Sequence, residues 1–131
     1  MTLRIGGISM ELKSVTIERA VEQQHMASVM KSGSLNVLAT PQMIAWMEEA
    51  ACACLDLEQG QTSVGISMNT SHDAPSALGA TITITATMTE VKGRKILYDV
   101  SAKDGDTIIG KGKHARFIVD AEKFLSKVYS K

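Results

Sequence analysis

Thr40, Glu48 and His72 offer a hydroxyl, a carboxylate and an imidazole, groups that can do acid–base or nucleophilic work, and each is by itself a separate, weak signal. On a helical wheel of about 100° per residue, an apolar stripe centres near Met47 and Ala51, and Glu49 falls on the far side, toward solvent or a partner. Glu48 sits at the stripe's edge, beside Ile44 and Leu55. A carboxylate so placed is half-desolvated, a condition suited to general-base work; a surface glutamate at a helix edge fits the same position. His72 lies in NTSHDAPS, after a strand and before a turn, where an imidazole can move protons or simply hydrogen-bond to backbone. Thr40 can serve equally as a helix N-cap.

Other polar groups give weaker signals. His25 stands in a segment without pattern, and His114 shares a strand face with Gly110, Gly112 and Arg116. No helix follows Gly110-x-Gly112, so the pair is not a phosphate loop; small residues there let a helix lie close over the strand. There is no Gly-x-Ser-x-Gly elbow and no metal-ligand spacing. No metal and no cofactor are expected.

The elements that must position these groups follow from a change of period. Residues 40–56 read as one helix, with Thr40 as N-cap, Pro41 in the first position, and a stripe of Met43, Ile44, Met47, Ala50, Ala51 and Cys54. Seventeen residues make a rod of about 25 Å. A first strand is expected within residues 9–22, and residues 23–39 read as irregular or one short helical turn. A shorter strand at about 62–70 precedes the Pro75 turn. Residues 80–91 alternate cleanly, with Ile82, Ile84, Ala86 and Met88 on one face and threonines on the other. Residues 94–103 and 107–119 complete the set, joined by hairpins at Gly93 and Asp104-Gly105. One long central helix against a five-stranded antiparallel sheet is an α+β layer arrangement.

At 131 residues the chain fits a single domain. Aromatics make up only 4%, so the core must be aliphatic and rich in its eight methionines. The 14 basic and 14 acidic side chains cancel, which argues against nucleic acid and against a polybasic membrane anchor. No apolar run approaches the length of a membrane span, and Met1 to Met10 lacks a signal-peptide pattern; the cytoplasm is expected. Cys52 and Cys54, two apart on the helix, point in nearly opposite directions and read as two small buried thiols.

The stretch from Val37 to Val128 resembles the fluoroacetyl-CoA thioesterase family of hotdog proteins. The resemblance rests on VLAT at 37–40, MEEA at 47–50, GISMNTSH at 65–72, GATITIT at 79–85, VKGRKI at 91–96, VSAKDG at 100–105, IGKGKHAR at 109–116 and EKFLSKV at 122–128, in the family's order and spacing. It implies a hotdog fold acting on an acyl-CoA substrate, with Thr40, Glu48 and His72 catalytic and Gly65 and Arg116 beside the thioester carbonyl. It also implies a homodimer or dimer of dimers, with sites at the subunit interface, so that the acting His72 and Glu48 can come from different subunits.

Thioester hydrolysis would need a nucleophile, a proton acceptor and donors for the oxyanion. Glu48 could activate water or attack directly, Thr40 could orient water or attack with help from Glu48, and the Gly65 amide could serve the oxyanion. Lys92, Arg94, Lys95, Lys111 and Lys113 could meet CoA phosphates or be solvated strand faces. Two departures stand out: residues 31–39 (KSGSLNVLA) carry no aromatic, with Leu38 in place of a phenylalanine, and the first 36 residues match poorly. Selection for a fluorinated acyl group is therefore not expected. A non-catalytic acyl-CoA binding module and an enoyl-thioester hydratase or dehydratase remain as alternatives, although Asp56 and Asp73 are poorly placed for the latter's Asp–His pair.

Overall fold

The alternation in TITITATMTEVK produces the strand at the heart of the molecule. In this computed structural model, which describes the backbone of residues 2–5 and 8–130 and the side chains of residues 10–130, Thr81–Lys92 is β5. Ile82, Ile84, Ala86 and Met88 are buried on its inner face. Outward, hydroxyls pair across to the edge strand β3 (Ser14–Ala20): Ser14 with Thr87 and Thr16 with Thr85, each at 2.9 Å. β6 (Lys95–Asp104) and β7 (Thr107–Asp120) follow through turns in which Gly93 and Gly105 take φ of 60°. β4 (Gln61–Thr70) pairs with β7, giving an all-antiparallel sheet in the order β3-β5-β6-β7-β4. A separate hairpin, β1 (Thr2–Ile5) with β2 (Ile8–Glu11), precedes it, so the expected first strand at 9–22 is two strands.

The central helix, α2, lies against β3, β4, β5 and β6. It runs Thr40–Ala53, three residues shorter than expected. Its end is set by tertiary contacts that periodicity does not register. The Tyr98 hydroxyl donates to the Ala51 carbonyl at 3.1 Å, in the last turn, where that carbonyl also accepts from the Cys54 amide at 3.1 Å. Lys13 holds Asp56 outside the helix at 2.5 Å. Met43, Met47, Ala50, Ala51 and Cys54 are buried as the stripe requires. Ile44 is only half-buried, while Trp46, off the stripe, is buried against the edge of His25 at 5.0 Å between ring centroids. Cys52 is exposed, which corrects the expectation of two buried thiols.

Residues 23–39 do contain short helical turns, Gln23–His25 and α1 (Ala27–Met30). They are tied to the start of α2 by Ala27 N to Val37 O (2.8 Å) and Ala39 N to His25 O (2.9 Å). A helix not foreseen from the sequence, α3 (Ala121–Tyr129), ends the described chain, capped by Asp120 accepting from the Lys123 amide at 3.0 Å. Lys92, Arg94, Lys95, Lys111 and Lys113 are exposed, with Lys113 paired to Asp99 and Lys92 to Glu90. No helix among the described residues is long and apolar enough to cross a membrane.

Candidate active site

Thr40 is not the N-cap. Ala39 takes that place, without a side-chain cap, and Thr40 opens the helix proper. Its hydroxyl is thereby free, and it meets His72 Nδ1 at 2.6 Å. The loop carrying His72 is clamped to β7 on both sides by Ser71 N to Lys111 O (3.0 Å) and Asp73 N to Ile109 O (2.6 Å). Close approach is possible because Gly110 has no side chain. A β-carbon there would stand 2.6 Å from the Ser71 carbonyl and 2.8 Å from Met43 Sδ. Burial pushes the His72 pKa below the ordinary imidazole value, with Asp73 pulling the other way. Nε2 of the ring is sealed from solvent and has no hydrogen-bond partner among the described residues. Thr40 and His72 line a cleft of about 230 Å³, together with Ser32, Val37, Leu38 and Asp73.

Glu48 belongs to a second cluster. It is half-buried, as its place at the stripe's edge suggested, and it is paired: Arg116 Nη1 donates to its Oε2 at 2.8 Å. Arg116 is 6% exposed and also donates from Nε to Ser63 Oγ (2.8 Å) and from Nη2 to the Ser63 carbonyl (3.1 Å). Gly65 faces this pair; a β-carbon there would lie 2.6 Å from Glu48 Oε2 and 3.3 Å from Arg116 Nη1. Glu49 is exposed, as expected, and pairs with Arg19 on β3.

Thr40 and His72 are thus brought together, as are Glu48, Gly65 and Arg116, but the two groups are separate within one chain. Eight helical residues between Thr40 and Glu48 amount to about 12 Å along the axis and about 80° of rotation. Ser63 was not singled out from sequence, and His114 was read there only as a weaker signal. The available signal was parity: His114 and Arg116 occupy alternate positions of β7 that also carry the buried Ile118, so two polar side chains face the core. Among the described residues, no group of three or more His, Cys, Asp or Glu could hold a metal ion.

The family described as fluoroacetyl-CoA-specific thioesterase matches residues 21–122. The chain belongs to that family. A fluoroacetyl-CoA thioesterase from Streptantibioticus cattleyicolor is 39% identical over 97 residues, spanning 72% of this chain and 70% of that protein. A solved fluoroacetyl-CoA thioesterase structure superposes with a TM-score of 0.86 at 31% identity, covering 98% of this chain and 97% of the other. A hot-dog-like protein from Thermanaerovibrio acidaminovorans, at 23% identity, covers 91% and 90% with a TM-score of 0.82 and shows the fold. The central helix wrapped by an antiparallel sheet is therefore the hotdog fold of the thioesterase family.

Proposed function

We propose that this protein hydrolyses small acyl-CoA thioesters to the free acid and CoA. The observation that carries the reading is the Thr40–His72 pair, 2.6 Å apart at the wall of a cleft large enough for a short acyl group. A half-buried neutral imidazole can take a proton from a hydroxyl or from the water that the hydroxyl orients. Glu48 is the second acid–base group, activating water or attacking the carbonyl itself. In either route water adds across the C–S bond: its oxygen ends on the acyl carbon and a proton on the CoA sulfur. Gly65 and Arg116 line the seat beside the thioester carbonyl, where a bare α-carbon admits close approach.

The active unit in this proposal is a homodimer, or a dimer of dimers, in which each chain acts as one hotdog domain. Support comes from β4, a sheet edge with Ile66 50% exposed, and from the separation of the two clusters. The free thiols of Cys52 and Cys54 fit a reducing compartment, the cytoplasm. The hydratase alternative gains nothing, because the Asp73 carboxylate is engaged by Ser71 Oγ at 2.7 Å.

The test is thiol release from acetyl-, propionyl-, isobutyryl- and fluoroacetyl-CoA, with Glu48→Gln and Glu49→Gln assayed alongside. Val37 and Leu38 give the cleft aliphatic walls and no aromatic partner for fluorine. Ordinary short or branched acyl groups should be cleaved at least as well as fluoroacetyl. Glu48→Gln should lose about 10²-fold or more in kcat, and Glu49→Gln less than about threefold. No turnover on any substrate would leave only a binding module, and a fluoroacetyl preference near 10³-fold, about 4 kcal/mol, would refute the specificity.

A further inference from the structure

We infer that His114 is a positioning residue for Glu48, a neutral imidazole fixed as its Nδ1–H tautomer that holds Arg116 in line with the carboxylate. The inference rests on the proposed role of Glu48. Nδ1 lies 2.7 Å from the Ser67 carbonyl, which can only accept, so Nδ1 carries the hydrogen. Nε2 lies 3.2 Å from Arg116 Nη1, which can only donate, so Nε2 presents its lone pair. The two neighbours specify one tautomer and one charge state. A second proton would set an Nε2–H against a guanidinium N–H.

The β4 bulge contributes to this arrangement. Gly65 pairs with Arg116 and Ser67 with Ala115, leaving Ile66 as the extra residue. Beyond the bulge, the Ser67 carbonyl meets the imidazole across the sheet. On the far side of the guanidinium, Ser63 fixes Nε and Nη2. With Ser63 and His114 gripping it, Arg116 directs Nη1 at Glu48 Oε2. The imidazole in turn stacks on Tyr98, with centroids 5.6 Å apart and an interplanar angle of 26°. Tyr98 is tied through its hydroxyl to Ala51, nearly one turn beyond Glu48 on α2. The titratable or charged groups packed around the ring are thus Arg116 from its own strand, Glu48 from α2 and Tyr98 from β6. Burial, the largest cause, lowers the His114 pKa and favours the same neutral form.

His114→Phe keeps the ring and the stack but removes both hydrogen bonds, whereas His114→Gln can still accept from Arg116. For His114→Phe we expect kcat to fall about ten- to hundredfold with KM within about threefold. His114→Gln should recover most of the lost kcat. Wild-type kcat in His114→Phe, or a loss that Gln does not rescue, overturns the inference. Should His114→Phe fail to fold, nitrogen-15 NMR of the wild-type imidazoles decides. An Nδ1–H neutral ring at pH 7 is expected, and an Nε2–H ring or an imidazolium overturns the assignment. Glu48→Gln separates the two readings. Near wild-type turnover in that variant removes the catalytic role of Glu48 and this inference with it; an inactive Glu48→Gln beside an unaffected His114→Phe removes only the latter.

Discussion

Thr40 and His72 meet at 2.6 Å, and desolvation of the half-buried ring favours its neutral form. Either neutral tautomer leaves Nε2 unsatisfied, and an imidazolium would bury a charged donor there, the costlier outcome. His114 is constrained the same way by Arg116. Both imidazoles have folded-state pKa values below the ordinary one, through burial first. As pH falls through about 6.5, the unfolded chain takes up protons that the folded chain refuses. Stability from these two groups is therefore complete above about pH 6.5 and is lost as pH falls below it toward the folded-state values. Melting temperature measured from pH 8 to 5 should fall on the acid side, and His72→Gln or His114→Gln should each flatten that fall. Unchanged slopes in both variants would show that the rings are not the groups responsible.

At the scale of elements, the site depends on how closely strands and loops approach β7. Gly112 is the tightest place: a β-carbon there would sit 2.1 Å from the Asn69 carbonyl oxygen and 2.5 Å from Thr70 Cα, both backbone atoms that cannot swing aside. Gly112→Ala should cost about 3 kcal/mol, or roughly 10 °C in melting temperature. Because Asn69 and Thr70 lead into the His72 loop, kcat should fall with it. A melting temperature within about 2 °C of wild type would show that β4 can relax away. The sequence had offered Gly110 and Gly112 as a place where a helix lies close. Gly110 does lie against Met43 of α2, but Gly112 faces the neighbouring strand. The same limit applies elsewhere. Alternation and stripes were legible in β5, β6 and α2 because each buries one side of a regular element. The end of α2 was not, because Cys54 and Leu55 continue the apolar pattern while Tyr98 and Lys13 end the helix from afar. α3 was missed although Ala121, Phe124, Leu125 and Val128 recur at helical spacing; none of its residues is buried, so that apolar face is not part of the core that organised the rest of the pattern. Thr40, Glu48 and His72 came from resemblance. Their partition into a Thr40–His72 pair and a Glu48–Arg116 pair could not, since it depends on which loops β7 draws in.

The whole molecule raises the question of how two clusters about 12 Å apart along one helix can serve one reaction. A two-fold axis offers an answer. If β4 pairs with its counterpart across the sheet edge and the α2 helices come together, the interface is isologous, and the Glu48 cluster of one protomer can face the Thr40–His72 cleft of the other. Genetic separation of the halves tests this directly. Homodimers of Glu48→Gln should be inactive, as should those of His72→Asn. In a mixed dimer assembled from one subunit of each, the intact His72 of the first protomer meets the intact Glu48 of the second, while the other site carries both lesions. Random assortment at equal amounts makes half the dimers mixed, each with one working site of two, so activity should return to about a quarter of wild type. Sedimentation of the mixture should show a dimer of unchanged size, confirming that subunits exchanged rather than unfolded. If the mixture stays as inactive as its parents while subunit exchange is demonstrated, each site is built within one chain. The helix would then have to carry both groups to the substrate alone, and Glu48 would be too distant to act on a carbonyl held by Thr40 and His72.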